Sequence, residues 1–193
     1  MVGKRSLLGW LDGLVAQDRG VRRVAGDIVY GPRDRHRLGI YAPAGMDGPL
    51  PVVLFFYGGG WDSGTKNDYA FAGSAFSALG FVTVVADYRV FPEAIYPAFL
   101  EDCADAAQWV VRHVADYGGY PDQLVLAGHS AGAYNAVMVG ADRRLHQGRS
   151  YAGAVRAVVG VGREPAGGEH GARLGRVLMA SCGGSSREGS QSE

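Results

Sequence analysis

Short continuous apolar runs alternate along the chain with longer segments in which apolar residues recur at helical spacing. A run of the first kind is typical of a strand that is buried on both faces of a parallel sheet. The segment RLGIYAP is a further strand, which the proline at its end stops. We therefore predict strands at residues 37–43, 52–56, 81–86, 124–128 and 155–161.

Helices are predicted between these strands. Leucines at positions 7, 8, 11 and 14 predict an amphipathic helix near the start of the chain. Gly80 should close one of the later helices, and another should end before Gly118. Residues 117–123, YGGYPDQ, are predicted to be a turn. The predicted helices span residues 5–17, 68–80, 100–114 and 130–142. Strands that alternate with helices indicate an α/β domain with a mostly parallel sheet covered on both faces.

Composition and charge limit the classes of partner and cofactor that this chain is expected to have. The 193 residues carry equal numbers of acidic and basic side chains, so nothing indicates nucleic acid or an anionic membrane as a partner. No apolar run is long enough to span a bilayer, and residues 1–20 are expected to be a helix and not a signal peptide. The two cysteines form no disulfide framework and no metal cluster, so we expect a cytoplasmic protein without metal or cofactor.

One serine stands where a catalytic nucleophile could stand. The segment LVLAGHSAGAYNAVMVG places Ser130 between a predicted strand and a predicted helix, with Gly128 and Gly132 on either side. A nucleophile elbow requires this order, because the turn is so tight that only small residues fit around the serine. The strained turn exposes the hydroxyl above the sheet edge, and the following helix points its N-terminus at the site. We therefore predict that Ser130 is a nucleophile.

A glycine-rich loop at the end of an earlier strand suits the same chemistry. In FFYGGGW, three consecutive glycines follow the strand at 52–56. Without Cβ atoms, their backbone N–H groups can turn toward a bound carbonyl oxygen. Such donors stabilise the oxyanion of a tetrahedral intermediate, each by about 3 kcal/mol. Ligand sites of open α/β sheets also lie at the carboxyl ends of strands.

Together these segments resemble an α/β-hydrolase of the carboxylesterase and hormone-sensitive-lipase-like group. The resemblance covers about residues 25–162, and the matching segments follow the family's order at about its spacing. They are YGGGW (57–61), DYRVFPE (87–93), YPAFLEDCADAAQWVVRH (96–113), YGGYPDQLVLAGHSAGA (117–133) and AVVGVG (157–162).

The resemblance implies a role for each matching residue. The nucleophile falls on Ser130, and the oxyanion donors fall on the backbone N–H groups of Gly59, Gly60 and Ala131. Tyr57 stands where the family's pattern begins with histidine, so the loop must be braced differently here.

Two further positions are expected to border the substrate pocket. Trp61 would line it, although an indole that anchors the loop from within is an equal alternative. His129 would also border it, but we expect its side chain to point away from Ser130, so it is not the base.

Other matching charged residues are interpreted as structural. The loop that contains Asp87, Arg89 and Glu93 is expected to form ion pairs beside the site, together with Asp102. His36 and His113, on an early strand and on a helix, are interpreted as solvated or satisfied side chains.

The rest of a catalytic triad is not visible in the sequence. In this fold an acid and then a histidine follow the serine. After Ser130 the chain has one aspartate, Asp142, and two histidines, His146 and His170. Asp142 and His146 should lie at the far end of the helix after the serine, and His170 lies in a Gly/Ser-rich tail.

We therefore expect a partial hydrolase domain at 1–162, incomplete at its C-terminus, and a disordered tail at 163–193. A frame shift or truncation in the gene is one explanation, and a naturally shortened relative is the other.

Three functions remain open at this stage. The first is hydrolysis of small-molecule carboxylic esters through an acyl-enzyme on Ser130. The second is an amidase of the arylformamidase type, which has a similar glycine loop and elbow. The third is a catalytically inactive α/β domain. Acyl chain length and oligomeric state cannot be inferred from these residues.

Overall fold

The computed structural model describes residues 20–162, whose strands form one six-stranded sheet. The order across the sheet is β1-β2-β4-β3-β5-β6. β1 pairs antiparallel with β2 and β2 antiparallel with β4, whereas the other pairs are parallel. The predicted mostly parallel sheet is therefore confirmed. The strands are β1 (Val21–Val29), β2 (Arg37–Pro43), β3 (Leu50–Phe56), β4 (Val82–Ala86), β5 (Gly119–His129) and β6 (Val155–Val161).

Helices connect the parallel strands. They are α1 (Ala70–Ala78), α2 (Ala98–His113), α3 (Ala131–Ala141) and the short α4 (Arg143–His146). Single 3₁₀ turns at Lys66–Tyr69, Val114–Tyr117 and Tyr151–Ala154 extend the connections. Gly80 and Gly118 follow helical segments with φ of 91° and 81°. Left-handed backbone of this kind favours glycine, so both predicted stop signals are confirmed.

The helices cover both faces of the sheet. The connection from β3 to β4 runs across the sheet in one direction, and the connections to β5 and β6 run in the other. Right-handed crossovers therefore place α1 on one face and both α2 and α3 on the opposite face. On the first face, the ring of Phe55 packs 6.0 Å from that of Phe76. On the second, α3 is so close to β6 that a Cβ at Gly140 would lie 2.6 Å from the Val158 side chain.

Two local predictions were wrong. Residues 119–123, predicted as part of a turn, begin β5, and Gly119 pairs with Leu50. Gly119 fits there because a Cβ would lie 2.7 Å or less from the side chains of Val114 and Val52. The other error is β1, which the apolar pattern did not indicate. β1 is an edge strand with several exposed residues, and Gly26 and Asp27 interrupt its alternation.

Some predictions lie outside the described residues. These are the helix at 5–17, the tail at 163–193 and the placement of His170. Within residues 20–162, no helix combines the length and the apolar character needed to cross a bilayer.

Ion pairs hold the loop after β4 as predicted for Asp87, Arg89 and Asp102, whereas Glu93 is exposed and forms no ion pair with residues 20–162. The Arg89 guanidinium donates three hydrogen bonds to the fully buried carboxylate of Asp102, at 2.6, 2.8 and 3.2 Å. Asp87 accepts a hydrogen bond from the Lys66 backbone N–H and lies 3.3 Å from its ammonium group. His36 is also buried, with Nε2 3.0 Å from the Asp102 carboxylate. His36 is therefore a core side chain and not a solvated one.

The buried carboxyl group of Asp102 makes the free energy of unfolding depend on pH. Burial alone would raise the pKa of Asp102, but the hydrogen bonds from Arg89 outweigh it and hold that pKa below the ordinary 3.8. A carboxyl group with a depressed folded-state pKa contributes stability above its unfolded pKa and loses it as the pH falls through the folded one. Asp102→Asn should lower the free energy of unfolding at pH 7 by about 3 kcal/mol. It should also flatten the loss of stability below the ordinary pKa of 3.8.

Urea unfolding between pH 7 and pH 2 measures both effects. Asp47→Asn is the control, because this carboxylate is exposed in the loop before β3. Equal stability and equal acid sensitivity in the Asp102→Asn variant and the wild type would contradict the prediction.

Candidate active site

Two neighbouring strands end at the same level of the sheet. β3 and β5 run parallel, and Phe56 pairs with Gly128. Gly58 and Ser130 each come two residues after this pair. The glycine loop after β3 and the serine after β5 therefore lie side by side at the carboxyl edge, on either side of the point where the strand order reverses. This is the edge at which open α/β sheets bind ligands.

Ser130 occupies the turn between β5 and α3. Its φ of 53° and ψ of −117° are rare for a residue with a side chain and cost about 1–3 kcal/mol. The Ser130 N–H donates to the Val161 carbonyl at 2.7 Å, and its own carbonyl accepts from Ala133 at 2.9 Å. The residue is solvent-exposed. The predicted strand–turn–helix order is confirmed, whereas the role of Ser130 as nucleophile stays a prediction.

Glycine is required on both sides of the elbow. A Cβ at Gly128 would overlap the carbonyl oxygen of Gly132. A Cβ at Gly132 would overlap the carbonyl oxygen of Phe56 and lie 2.5 Å from that of Tyr57. The first turn of α3 therefore rests directly on the end of β3, where the glycine loop begins. This contact brings Ala131, the first residue of α3, close to the loop.

We expect Gly132→Ala to separate these two elements. The added methyl group must push α3 away from β3, which should lower the free energy of unfolding by about 2–3 kcal/mol. Urea unfolding measures the change. Gly45→Ala is the control, because a Cβ at Gly45 would meet no atom within 4 Å. Similar stability in the two variants would show that the elbow has room for a side chain.

The glycine loop turns sharply. Gly59 and Gly60 have φ of 146° and 63°, and Trp61 follows with 62°. The Gly59 carbonyl accepts hydrogen bonds from the backbone N–H groups of Asp62 and Ser63, both at 3.2 Å. The loop is thus folded back on the carbonyl group of Gly59. The role of the Gly59 and Gly60 N–H groups as oxyanion donors stays a prediction.

Tyr57 is braced by the fold in place of the family's histidine. Its side chain is completely buried and stacks on Tyr88, with ring centroids 4.6 Å apart. Its hydroxyl accepts a hydrogen bond from Arg35 at 2.7 Å. Burial raises the pKa of Tyr57, so the hydroxyl remains protonated at neutral pH.

Trp61 is anchored from within the protein. Its indole N–H donates to the Asn135 side chain at 3.0 Å, and its ring packs against Phe99 and Tyr134, each at 5.6 Å. It remains partly exposed. These contacts support the anchoring alternative, and a face toward substrate stays a prediction.

His129 lies beside the glycine loop. Its Nδ1 is 2.9 Å from the Tyr69 hydroxyl, and a Cβ at Gly58 would lie 2.8 Å from that nitrogen. The imidazole therefore contacts the 3₁₀ turn before α1. Its predicted place at the border of a substrate pocket stays untested.

His146 and His113 make their contacts at helix ends away from Ser130. His146 Nε2 is 2.9 Å from the Val139 carbonyl, at the end of α3, which is about 16 Å long by the helix rise. Asp142 accepts hydrogen bonds from Arg144, which lower its pKa to about 2. His113 packs on Trp109 at the end of α2. The structure thus brings neither Asp142 nor His146 to Ser130.

Sequence reasoning missed three residues that hold the site. Asn135 is completely buried and joins Trp61 to α3. A lone amide one helical turn after Ala131, on a face continued by Val139, was a usable signal. No sequence pattern indicated a role for Tyr69 or Arg35, because each side chain contacts residues that are distant from it along the chain. Among residues 20–162, no group of three or more His, Cys, Asp or Glu side chains could hold a metal ion.

Comparison with known proteins identifies the family. The family model described as BD-FAE matches residues 38–160, which run from β2 to β6 and make up more than half of the chain. A probable isoprenylcysteine alpha-carbonyl methylesterase of Arabidopsis thaliana is 39% identical over 109 residues, covering 56% of this chain and 23% of the relative. Carboxylesterase NlhH of Mycobacterium tuberculosis is 39% identical over 102 residues, covering 51% and 32%.

A solved structure supports the fold. Esterase B of Lactobacillus rhamnosis superposes with a TM-score of 0.71 at 20% identity, covering 79% of this chain and 52% of that protein. The chain spans less than a third of the length of the two relatives in sequence and about half of esterase B. The chain therefore belongs to the BD-FAE family and is an α/β-hydrolase of the carboxylesterase and hormone-sensitive-lipase-like group.

Proposed function

We propose that this site is built to hydrolyse carboxylic esters of small molecules through an acyl-enzyme on Ser130 once a general base serves the serine, a base that His146 and Asp142 do not provide. The observation that carries the proposal is the strained, exposed Ser130 at the carboxyl end of β5, directly beside the glycine loop after β3. A serine hydrolase needs its nucleophile and its oxyanion donors in this arrangement. The two relatives in sequence are named as esterases, which favours esters over amides.

The reaction has two balanced steps. Ser130 Oγ attacks the ester carbonyl carbon while its proton passes to a general base, and the carbonyl oxygen becomes an oxyanion that the N–H groups of Gly59, Gly60 and Ala131 would bind. The intermediate collapses, the alcohol leaves with the proton that the general base returns, and the acyl group stays on Ser130. Water then attacks this acyl-enzyme, which releases the carboxylic acid and restores the serine hydroxyl.

Apolar side chains near the loop suit an apolar substituent on the ester. The backbone N–H of Phe91 donates to the Trp61 carbonyl at 2.7 Å, which places the loop after β4 next to the glycine loop. On this loop Phe91, Ile95 and Tyr96 expose 61%, 70% and 53% of their surface. Large exposed apolar groups that lie together often mark a binding surface. We propose that this surface receives the apolar part of the substrate.

A boronic acid tests the nucleophile and the oxyanion donors together. Butylboronic acid adds to a serine hydroxyl, forming a boron–oxygen bond and releasing one proton, and the tetrahedral anion resembles the proposed intermediate. We expect ¹¹B NMR to show a tetrahedral adduct with the wild type that Ser130→Ala abolishes. Ser74→Ala, on α1, is the matched control and should keep the adduct. Binding that survives Ser130→Ala would overturn the proposal.

A further inference from the structure

Arg35 makes three hydrogen bonds to the surroundings of the glycine loop, of which the one to Tyr57 is only a part. It lies in the turn between β1 and β2 and is half-buried. Its Nη2 donates to the Tyr57 hydroxyl at 2.7 Å and to the Gly64 carbonyl at 2.6 Å. Its Nε donates to the Tyr88 carbonyl at 2.9 Å.

These three acceptors enclose the glycine loop. Tyr57 directly precedes its first glycine, and Gly64 ends the turn that follows its last one. Gly64 has φ of 96°, and a Cβ there would lie 2.8 Å from the Gly58 carbonyl oxygen, so the two ends of the loop are in contact. Tyr88 belongs to the loop after β4, and its hydroxyl donates to the Tyr57 carbonyl at 2.7 Å.

The chemistry of the guanidinium group suits this position. It is planar and carries five N–H donors in a fixed fork, whereas an ammonium group is a compact donor on a flexible stem. Because Tyr57 is buried and protonated, its hydroxyl can accept from Arg35 while its ring stacks on Tyr88. One guanidinium thus joins both ends of the loop to the neighbouring loop after β4.

We propose that Arg35 is the positioning residue of the oxyanion loop: it clamps Tyr57 and Gly64 so that the N–H groups of Gly59 and Gly60 face Ser130. The inference rests on the proposed function for its catalytic meaning. Arg35 touches no substrate and acts only through the loop.

Hydrogen exchange of the 193-residue chain tests the clamp without any turnover. In Arg35→Met, which keeps the aliphatic stem but no donor, amides at 58–64 should exchange at least about tenfold faster, because the loop opens locally. Amides of β3 and β5 should exchange as in the wild type. Arg33→Met is the matched control, since Arg33 lies exposed in the same turn. Tyr57→Phe, which removes one acceptor and keeps the ring, should give a smaller increase at 58–64.

The same variants should differ in their affinity for butylboronic acid. Arg35→Met should bind it about tenfold more weakly, Arg35→Lys should recover part of the loss, and Arg33→Met should match the wild type. Exchange at 58–64 that stays within twofold of the wild type would overturn the clamp. Faster exchange throughout the sheet would overturn it as well, because Arg35 would then serve only global stability. If the wild type forms no adduct at Ser130, the proposed function fails, and the exchange experiment still decides whether Arg35 holds the loop.

Discussion

The purified 193-residue chain should hydrolyse p-nitrophenyl butyrate at a barely detectable rate, and Ser130→Ala should change that rate little. A serine hydroxyl is a weak nucleophile until a neighbouring base accepts its proton. The histidines after Ser130 are His146 and His170, and the first is held by the Val139 carbonyl at the far end of α3. With no base at the serine among residues 20–162, oxyanion donors and binding alone leave about 10³–10⁴-fold acceleration over water, against losses of about 10⁶ in turnover.

Three variants decide this prediction. His146→Ala should leave the residual rate unchanged, because the structure keeps this side chain away from Ser130. Initial rates for Ser130→Ala, His146→Ala and His170→Ala are compared with the wild type at equal protein concentration. Robust turnover that both Ser130→Ala and His170→Ala abolish would contradict the prediction and identify His170 as the base.

The largest gain in activity should come from a graft. We expect a chimera of residues 1–162 with the C-terminal segment of carboxylesterase NlhH to raise kcat/KM for p-nitrophenyl butyrate by at least about 10³. In this fold the acid and the histidine follow the serine in that order. The graft would supply both to an elbow and a glycine loop that already stand side by side. β6, which ends at Val161 beside Ser130, provides the junction.

The graft requires controls for folding and for the origin of its activity. The same chimera with Ser130→Ala should lose the gain completely, since the NlhH segment would bring no nucleophile of its own. Circular dichroism and urea unfolding establish that both chimeras fold. N-formyl aryl amides assayed in parallel distinguish an esterase from an amidase of the arylformamidase type. A folded chimera without increased activity would show that the elbow and glycine loop of this chain are not a working acyl-transfer site.

Most of the sheet could be predicted from local patterns. β3, β4 and β6 are short apolar runs, and both the helix after Ser130 and the glycine stop signals follow from local backbone chemistry. β1 could not be predicted in this way, because an edge strand has one partner and several exposed residues. The start of β5 was missed for a related reason: Gly119 is selected by its close neighbours Val114 and Val52 and not by strand propensity.

Part of the candidate site was specified by local sequence. Ser130 between two glycines, after an apolar run and before a helix, is sufficient to predict a strained turn with an exposed hydroxyl. Three glycines after another strand are sufficient to predict a loop whose backbone can approach a ligand. Both predictions use only backbone sterics within a few residues, although the structure shows that glycine at 132 is also required by the distant carbonyl oxygen of Phe56.

Everything that joins these two segments depended on tertiary structure. The pairing of Phe56 with Gly128 places the loop beside the serine, although the paired residues lie far apart along the chain. The anchoring of Trp61 by Asn135 and the bracing of Tyr57 by Arg35 likewise connect distant elements. Periodicity and turn chemistry describe only neighbours in sequence, whereas these contacts are selected by which strands pair and how closely the helices pack against them.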